Sequence, residues 1–177
     1  MILRLHEILG SVSFGTPSDT FETNLQELGE ALGFYSQRPE REVGKGPDNL
    51  WRIKKRSYWI LSCKNETHPG QEYISKADVG QILSDIAWFN LNCDGESRPI
   101  FIHPGSKLDQ SAAIDCPVWV IGENNLNKFK SNILNFFNEF QNVPRDRLTQ
   151  VIITETLKNH HLDVDDLLKN YATRVQT

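Results

Sequence analysis

Cysteine is scarce and scattered: Cys63, Cys93 and Cys116 are the three in 177 residues. No two of them, nor any of them with His103, stand at the C-x₂-C type of spacing that structural zinc favours, so a zinc site and a disulfide framework are both set aside. A basic stretch followed by an apolar leader is also missing from the first residues, and unpaired thiols in a reducing cytoplasm are the expectation. On that expectation the Asn65-Glu66-Thr67 triplet never meets the glycosylation machinery. No run approaches the ~18 apolar residues that a membrane span requires. A G-x-x-x-x-G-K-[ST] phosphate loop is absent, so ATP-driven unwinding does not reside in these residues. Positive charge in excess is lacking too. Nineteen Lys and Arg face 23 Asp and Glu, a formal charge of −4, and any attraction to nucleic acid must come from a local patch.

What is present suits one packed domain, with 38% hydrophobic and 24% charged residues. Ile2, Leu5, Ile8 and Leu9 recur at helical spacing before the breaker-rich GSVSFGTPSD, so 1–18 reads as an N-terminal helical segment able to dock elsewhere. Asp19, three before Glu22, reads as the cap of a helix whose stripe is Phe21, Leu25, Leu28 and Leu32 and whose stop is Gly33. Residues 50–53 and 58–63 are β-rich runs around KKRS, which predicts a hairpin, and a shorter strand before Gly44 is expected. Ser75 and Asp78 resemble a capping box ahead of Val79, Ile82, Leu83, Ile86 and Phe89. Residues 99–103 and 118–122 read as buried strands with loop between them, and Leu126, Phe129, Ile133, Phe137 and Phe140 as a third strong helix. Two short helices are expected near 148–157 and 164–171. The order predicts an α/β three-layer sandwich: a mixed central sheet of four to five strands flanked by helices over 19–143, with a small helical extension over 144–177.

The local patch lies between Ser36 and Arg56, where Arg38, Arg41, Lys45, Arg52, Lys54, Lys55 and Arg56 outnumber Glu40, Glu42 and Asp48 seven to three. Alone it reads as a solvated hairpin. Its neighbour GKGPD raises another reading. Metal-dependent phosphodiester cleavage needs a carboxylate for a hard cation and a cation near the attacking water. Asp48 at the start of one hairpin strand and Lys64 after its partner are such a pair, although a surface ion pair accounts for two such residues as well.

The wider pattern is more specific. FETNLQELGEALGFYSQRPEREVGKGPDNLW, YWILSCKNE, ISKADVGQILSDIAWF and PIFIHP, over about residues 19–140, resemble the PD-(D/E)XK or restriction-endonuclease-like superfamily. More narrowly they resemble the nuclease-type domain at the C-terminal end of some bacterial DEAD/DEAH-box helicases. The resemblance implies a DNA endonuclease using Mg²⁺ or Mn²⁺, with a helicase motor elsewhere in a longer chain or in a partner. It implies Asp48 as metal ligand, Lys64 positioning or activating water, Glu22 as a second carboxylate on the metal, and Gln81 orienting the lysine or substrate. Lys45, Arg52, Lys54, Lys55, Arg56 and Lys76 are the implied DNA contacts. His103, a lone histidine at a strand end, is read as structural.

One position departs from the family pattern. Ser62 fills the slot of the second metal-binding acid, and a neutral hydroxyl replaces a full negative charge. Glu66 shares its strand face but lies about 13 Å along it, which leaves Glu22 as the better substitute. Otherwise the domain is a degenerate nuclease that grips DNA through its basic hairpin and needs no metal.

Overall fold

The computed structural model describes residues 2–68 and 70–176. Helices α1 (Ile2–Ser11) and α2 (Ser18–Ala31) are followed by strand β1 (Tyr35–Gln37), the short helix α3 (Pro39–Val43) and the hairpin β2 (Asn49–Lys54) and β3 (Ser57–Cys63). Next come β4 (Tyr73–Ile74), α4 (Lys76–Asn92), β5 (Glu96–Ile102), β6 (Lys107–Leu108), β7 (Trp119–Ile121) and α5 (Glu123–Glu139). The tail carries α6 (Gln150–Asn159), α7 (Leu167–Tyr171) and β8 (Thr173–Arg174). No helix among the described residues is long and apolar enough to cross a membrane.

The sheet is mixed, as expected, but has six strands in the order β1-β2-β3-β5-β7-β8 rather than four to five. β1, three residues antiparallel to β2, is the short strand expected before Gly44; the addition is β8, two residues antiparallel to β7 and too short to show a period. The tail is therefore not purely helical, since its last strand closes the sheet. A separate pair, β4 with β6, lies in stretches that read as turn and loop.

β3 is the central strand, antiparallel to β2 and parallel to β5, which in turn runs parallel to β7. Alternation sorts its side chains into two layers. Trp59, Leu61 and Cys63 join the larger core with Leu5, Phe21, Leu25, Phe129 and Tyr171, so α1, α2, α5 and α7 cover that face. Trp51 and Trp59, opposite each other across the hairpin, stack there at 6.1 Å. Tyr58 and Ile60 pack with Phe89 of α4 on the other face. Helices thus lie on both faces of the sheet.

The N-terminal segment is part of this packing: Leu5, Ile8, Leu9 and Val12 are buried in the larger core, so its apolar stripe is spent within the chain. Burying four such side chains contributes on the order of 1.5–3 kcal/mol each. Leu162, Leu167 and Tyr171 bring the tail into the same core. The capping box of α4 is present, Ser75 accepting from the Asp78 N–H and Asp78 from the Ser75 N–H. Asp19 does not cap α2; it lies within the first turn and pairs with Arg38 and Arg41.

Candidate active site

The three parallel strands β3, β5 and β7 end together, and the carboxyl edge of such strands is where an open α/β sheet offers a crevice. The loop after α3 delivers Asp48 to that edge. Gly44 closes α3 at φ +72°, and Gly46 turns the chain again at φ +101°. A Cβ on Gly46 would lie 2.8 Å from the Trp88 ring, so only glycine fits both the backbone angle and the approach to α4. Where the β2–β3 ladder ends, the Asp48 carboxylate replaces a backbone acceptor: its Oδ2 takes the Cys63 N–H at 2.6 Å.

Lys64 follows directly, its N–H donating to the Ile102 carbonyl at 2.8 Å and so extending the β3–β5 ladder by one residue. Its side chain shares the face of Ser62, toward α4. There the Lys64 amine donates to Gln81 Oε1 and stands 3.7 Å from Asp78 Oδ1. Gln81 Nε2 donates to Asp48 Oδ1 at 3.5 Å. One amide therefore bridges the carboxylate and the ammonium that the sequence pairs, each group on a different element. Asp48, Lys64 and Gln81 are brought together.

Burial governs the electrostatics here. It pushes the Asp48 carboxyl up to about 8; the Cys63 N–H pulls it down, the Glu40 carboxyl against it and the charge on Glu22 push it up, and Lys64 pulls it down. Asp85, on α4, is pushed up to about 7, again first by burial and then by Glu40. Burial also holds the Cys63 thiol well above its ordinary value. Glu40 and Asp85 are residues the sequence reading missed. The available signal was spacing: Asp85 lies four residues after Gln81, on the same helical face.

Glu22 is not joined to this cluster. Its carboxylate is held by the guanidinium of Arg38, itself 5% exposed, which also donates to Thr23 Oγ1 at 2.7 Å and Asp19 Oδ1 at 3.0 Å. Burial still raises the Glu22 carboxyl in spite of the arginine. Its backbone carbonyl accepts from Asn49 Nδ2 at 3.0 Å, which ties α2 to the start of β2. Ser62 is 0% exposed, and its hydroxyl has no hydrogen-bond partner among the described residues. An acid at that position would stand in a closed layer. His103 is also enclosed; Nδ1 accepts the Gly105 N–H at 2.8 Å, and burial lowers its pKa, which fits the structural role expected of it.

The basic residues divide between two places. Lys45 lines a cleft beside Gln81, and Lys76, exposed, opens α4. Arg52, Lys54, Lys55 and Arg56 lie toward the other end of the hairpin, the turn being about 20 Å from Asp48 along an extended strand. Several are already engaged. Lys54 pairs with Asp165, Arg56 with Asp94 at 2.7 Å, and Arg52 sits 5.0 Å over the Tyr35 ring. With Arg38 and Arg41 paired as well, the seven basic residues of the sequence patch do not form one face.

Among the described residues, no three His, Cys, Asp or Glu side chains gather as a metal cage. Mg²⁺ does not require one, since one or two carboxylates with water and phosphate complete its shell. Asp48 is one such carboxylate, and Glu40, whose N–H donates to the Pro47 carbonyl at 3.3 Å, stands beside it in the fold. No family model matches the chain, no curated protein matches it, and no solved structure matches it.

Proposed function

We propose that the protein is a DNA-directed, divalent-metal-dependent phosphodiester hydrolase on a restriction-endonuclease-like framework, associated with a helicase motor in another segment or partner. The observation that carries this reading is the Asp48–Gln81–Lys64 chain of hydrogen bonds at the carboxyl edge of β3. Asp48 would hold Mg²⁺ or Mn²⁺. When bound, such an ion supplies charge stabilisation on the phosphate and makes a water more acidic. Gln81 fixes the Lys64 amine, with Asp78 on its other side, so the ammonium is pre-positioned to orient an incoming water and to offset charge growing on a phosphate. Lys45 at the cleft and Lys76 at the start of α4 supply phosphate contacts within reach of that edge.

Plasmid nicking in Mg²⁺ or Mn²⁺, wild type beside Lys64→Ala, tests the proposal. Cleavage in the wild type that the variant loses supports it. DNA binding without cleavage in either moves the assignment to the second reading, a non-catalytic DNA-binding module. That second reading draws on one observation, the enclosed Ser62 in the acidic slot. Ser62→Asp separates the two: a gain of cleavage in a folded variant marks a degenerate nuclease, and no gain counts against that account.

A further inference from the structure

The acid missing at position 62 has counterparts in space. Glu40, Lys45, Gln81 and Asp85 line a cleft of about 610 Å³ between α3 and α4, and Gln81 connects it to Asp48. Gln81, Asp85 and Phe89 recur every four residues on one face of α4. Gln81 reaches Lys64 just beyond β3, and Phe89 packs edge-on against Tyr58 near the other end at 5.1 Å. Asp85, midway between them, therefore lies over the stretch of β3 that presents Ile60 and Ser62. It is 4% exposed, and its Oδ2 has no hydrogen-bond partner among the described residues. A buried carboxylate oxygen left without a donor is costly, and a cation or its water shell is the partner it lacks. The Glu40 N–H donates to the Pro47 carbonyl at 3.3 Å, which sets Glu40, on the cleft wall, beside Asp48. A hard divalent ion takes one or two carboxylates and completes its shell with water, from which a further, outer carboxylate accepts.

We propose that Glu40 and Asp48 bind a divalent cation in the α3–α4 cleft, with Asp85 accepting from its water shell. The helices then supply the negative charge that the strand position occupied by Ser62 does not. Lys45, in the lining of the same cleft, is a cation available to a phosphate there. The inference rests on the reading above in taking Asp48 as a ligand, and it replaces Glu22 as the second carboxylate.

The test titrates Mn²⁺ into the full chain and follows the free ion by electron paramagnetic resonance. Wild type, Glu40→Gln, Asp85→Asn and Glu22→Gln are compared, with Asp94→Asn as a control outside the cleft and circular dichroism to confirm the fold. The wild type is expected to bind Mn²⁺, Glu40→Gln and Asp85→Asn each to weaken it ~10-fold or more, and Asp94→Asn to match the wild type. No Mn²⁺ binding by the wild type overturns the proposal, as does loss in Glu22→Gln alone with the two cleft variants unchanged. Should Asp85→Asn fail to fold, the exposed Glu40 decides the matter. Nicking is scored separately. Mn²⁺ held through Glu40 without cleavage keeps the site and removes the nuclease reading; cleavage with Mn²⁺ binding indifferent to Glu40 and Asp85 does the reverse.

Discussion

The two ends of the β2–β3 hairpin carry comparable numbers of charges and use them in opposite ways. At the turn, Lys54 and Arg56 are exposed and each is matched by an acid, Asp165 and Asp94. At the strand ends, Asp48 is 5% exposed, its carboxyl is pushed up to about 8, and its contact with the lysine runs through the Gln81 amide. Exposed pairs in water contribute ~0–1 kcal/mol. Buried groups pay for desolvation, and persist where a surrounding network holds them. The difference teaches that a count of basic residues is a poor guide to a site. The enclosed end, where burial raises a carboxyl and an amide holds the lysine, is the one on which the proposed chemistry rests.

The largest effect is expected from the enclosed end. Lys64→Ala should lower nicking by ~100-fold or more, the range in which positioned proton-handling and charge-stabilising groups act. Replacing Arg52, Lys54, Lys55 and Arg56 together by alanine should leave the nicking rate at saturating DNA within a few-fold. If the quadruple variant loses as much as Lys64→Ala, the two ends are not functionally distinct.

Next in size is a structural effect beside the site. Arg38→Ala removes the partner of Glu22, whose side chain is 14% exposed, and leaves that carboxylate enclosed without its counter-charge. A loss of ~3 kcal/mol in unfolding free energy is expected from breaking a buried pair, read from urea midpoints. The double variant Arg38→Met with Glu22→Gln should recover a large part of it. An Arg38→Ala protein as stable as the wild type would show that this end of the hairpin is no more tightly coupled than the turn.

Much of this was readable in the residues, and the failures have physical causes. The stripes Phe21-Leu25-Leu28 and Leu126-Phe129-Ile133 gave α2 and α5 because a 3.6-residue period survives over 14 and 17 residues. β8 and the β4–β6 pair are two residues long, below any period, and exist because neighbours complete them. Asp48 and Lys64 stood out by their places at the ends of the hairpin and Gln81 by the family resemblance, and the structure brings the three together. Glu22 was misplaced because sequence cannot show that Arg38, buried 16 positions on, takes its charge. Glu40 and Asp85 look like surface acids in sequence, and only the packing of α3 and α4 around one cleft sets them apart.

A smaller effect concerns pH. The Asp48 and Asp85 carboxyls are raised from 3.8 to about 8 and about 7, so the folded chain keeps protons that the unfolded chain has released. Their contribution to stability is fully present below pH ~3.8 and is lost as pH rises through 7 and 8. Groups facing Asp48 act in both directions: Glu40 and Glu22 raise it, the Cys63 N–H and Lys64 lower it. The difference in urea midpoint between wild type and Asp48→Asn, measured without divalent ions, should therefore shift in favour of the variant between pH 5 and pH 8.5. A difference constant with pH would mean that this carboxylate titrates like an exposed one, which erases the contrast with the turn.

The smallest effect belongs to the turn itself. Lys54→Ala removes a pair whose side chains are 43% and 77% exposed, Lys54 and Asp165. Solvent screens such a pair, and both side chains give up rotamer freedom to form it, so the expected change in unfolding free energy is under ~1 kcal/mol. Its effect should shrink further when salt is raised from ~50 to ~500 mM, because the screening length falls several-fold over that range. The Arg38→Ala loss, set in an enclosed pair, should hardly respond to the same salt. Measuring both variants at both salts gives the comparison a quantitative form, since charges equally accessible to ions at the two ends would respond to salt alike.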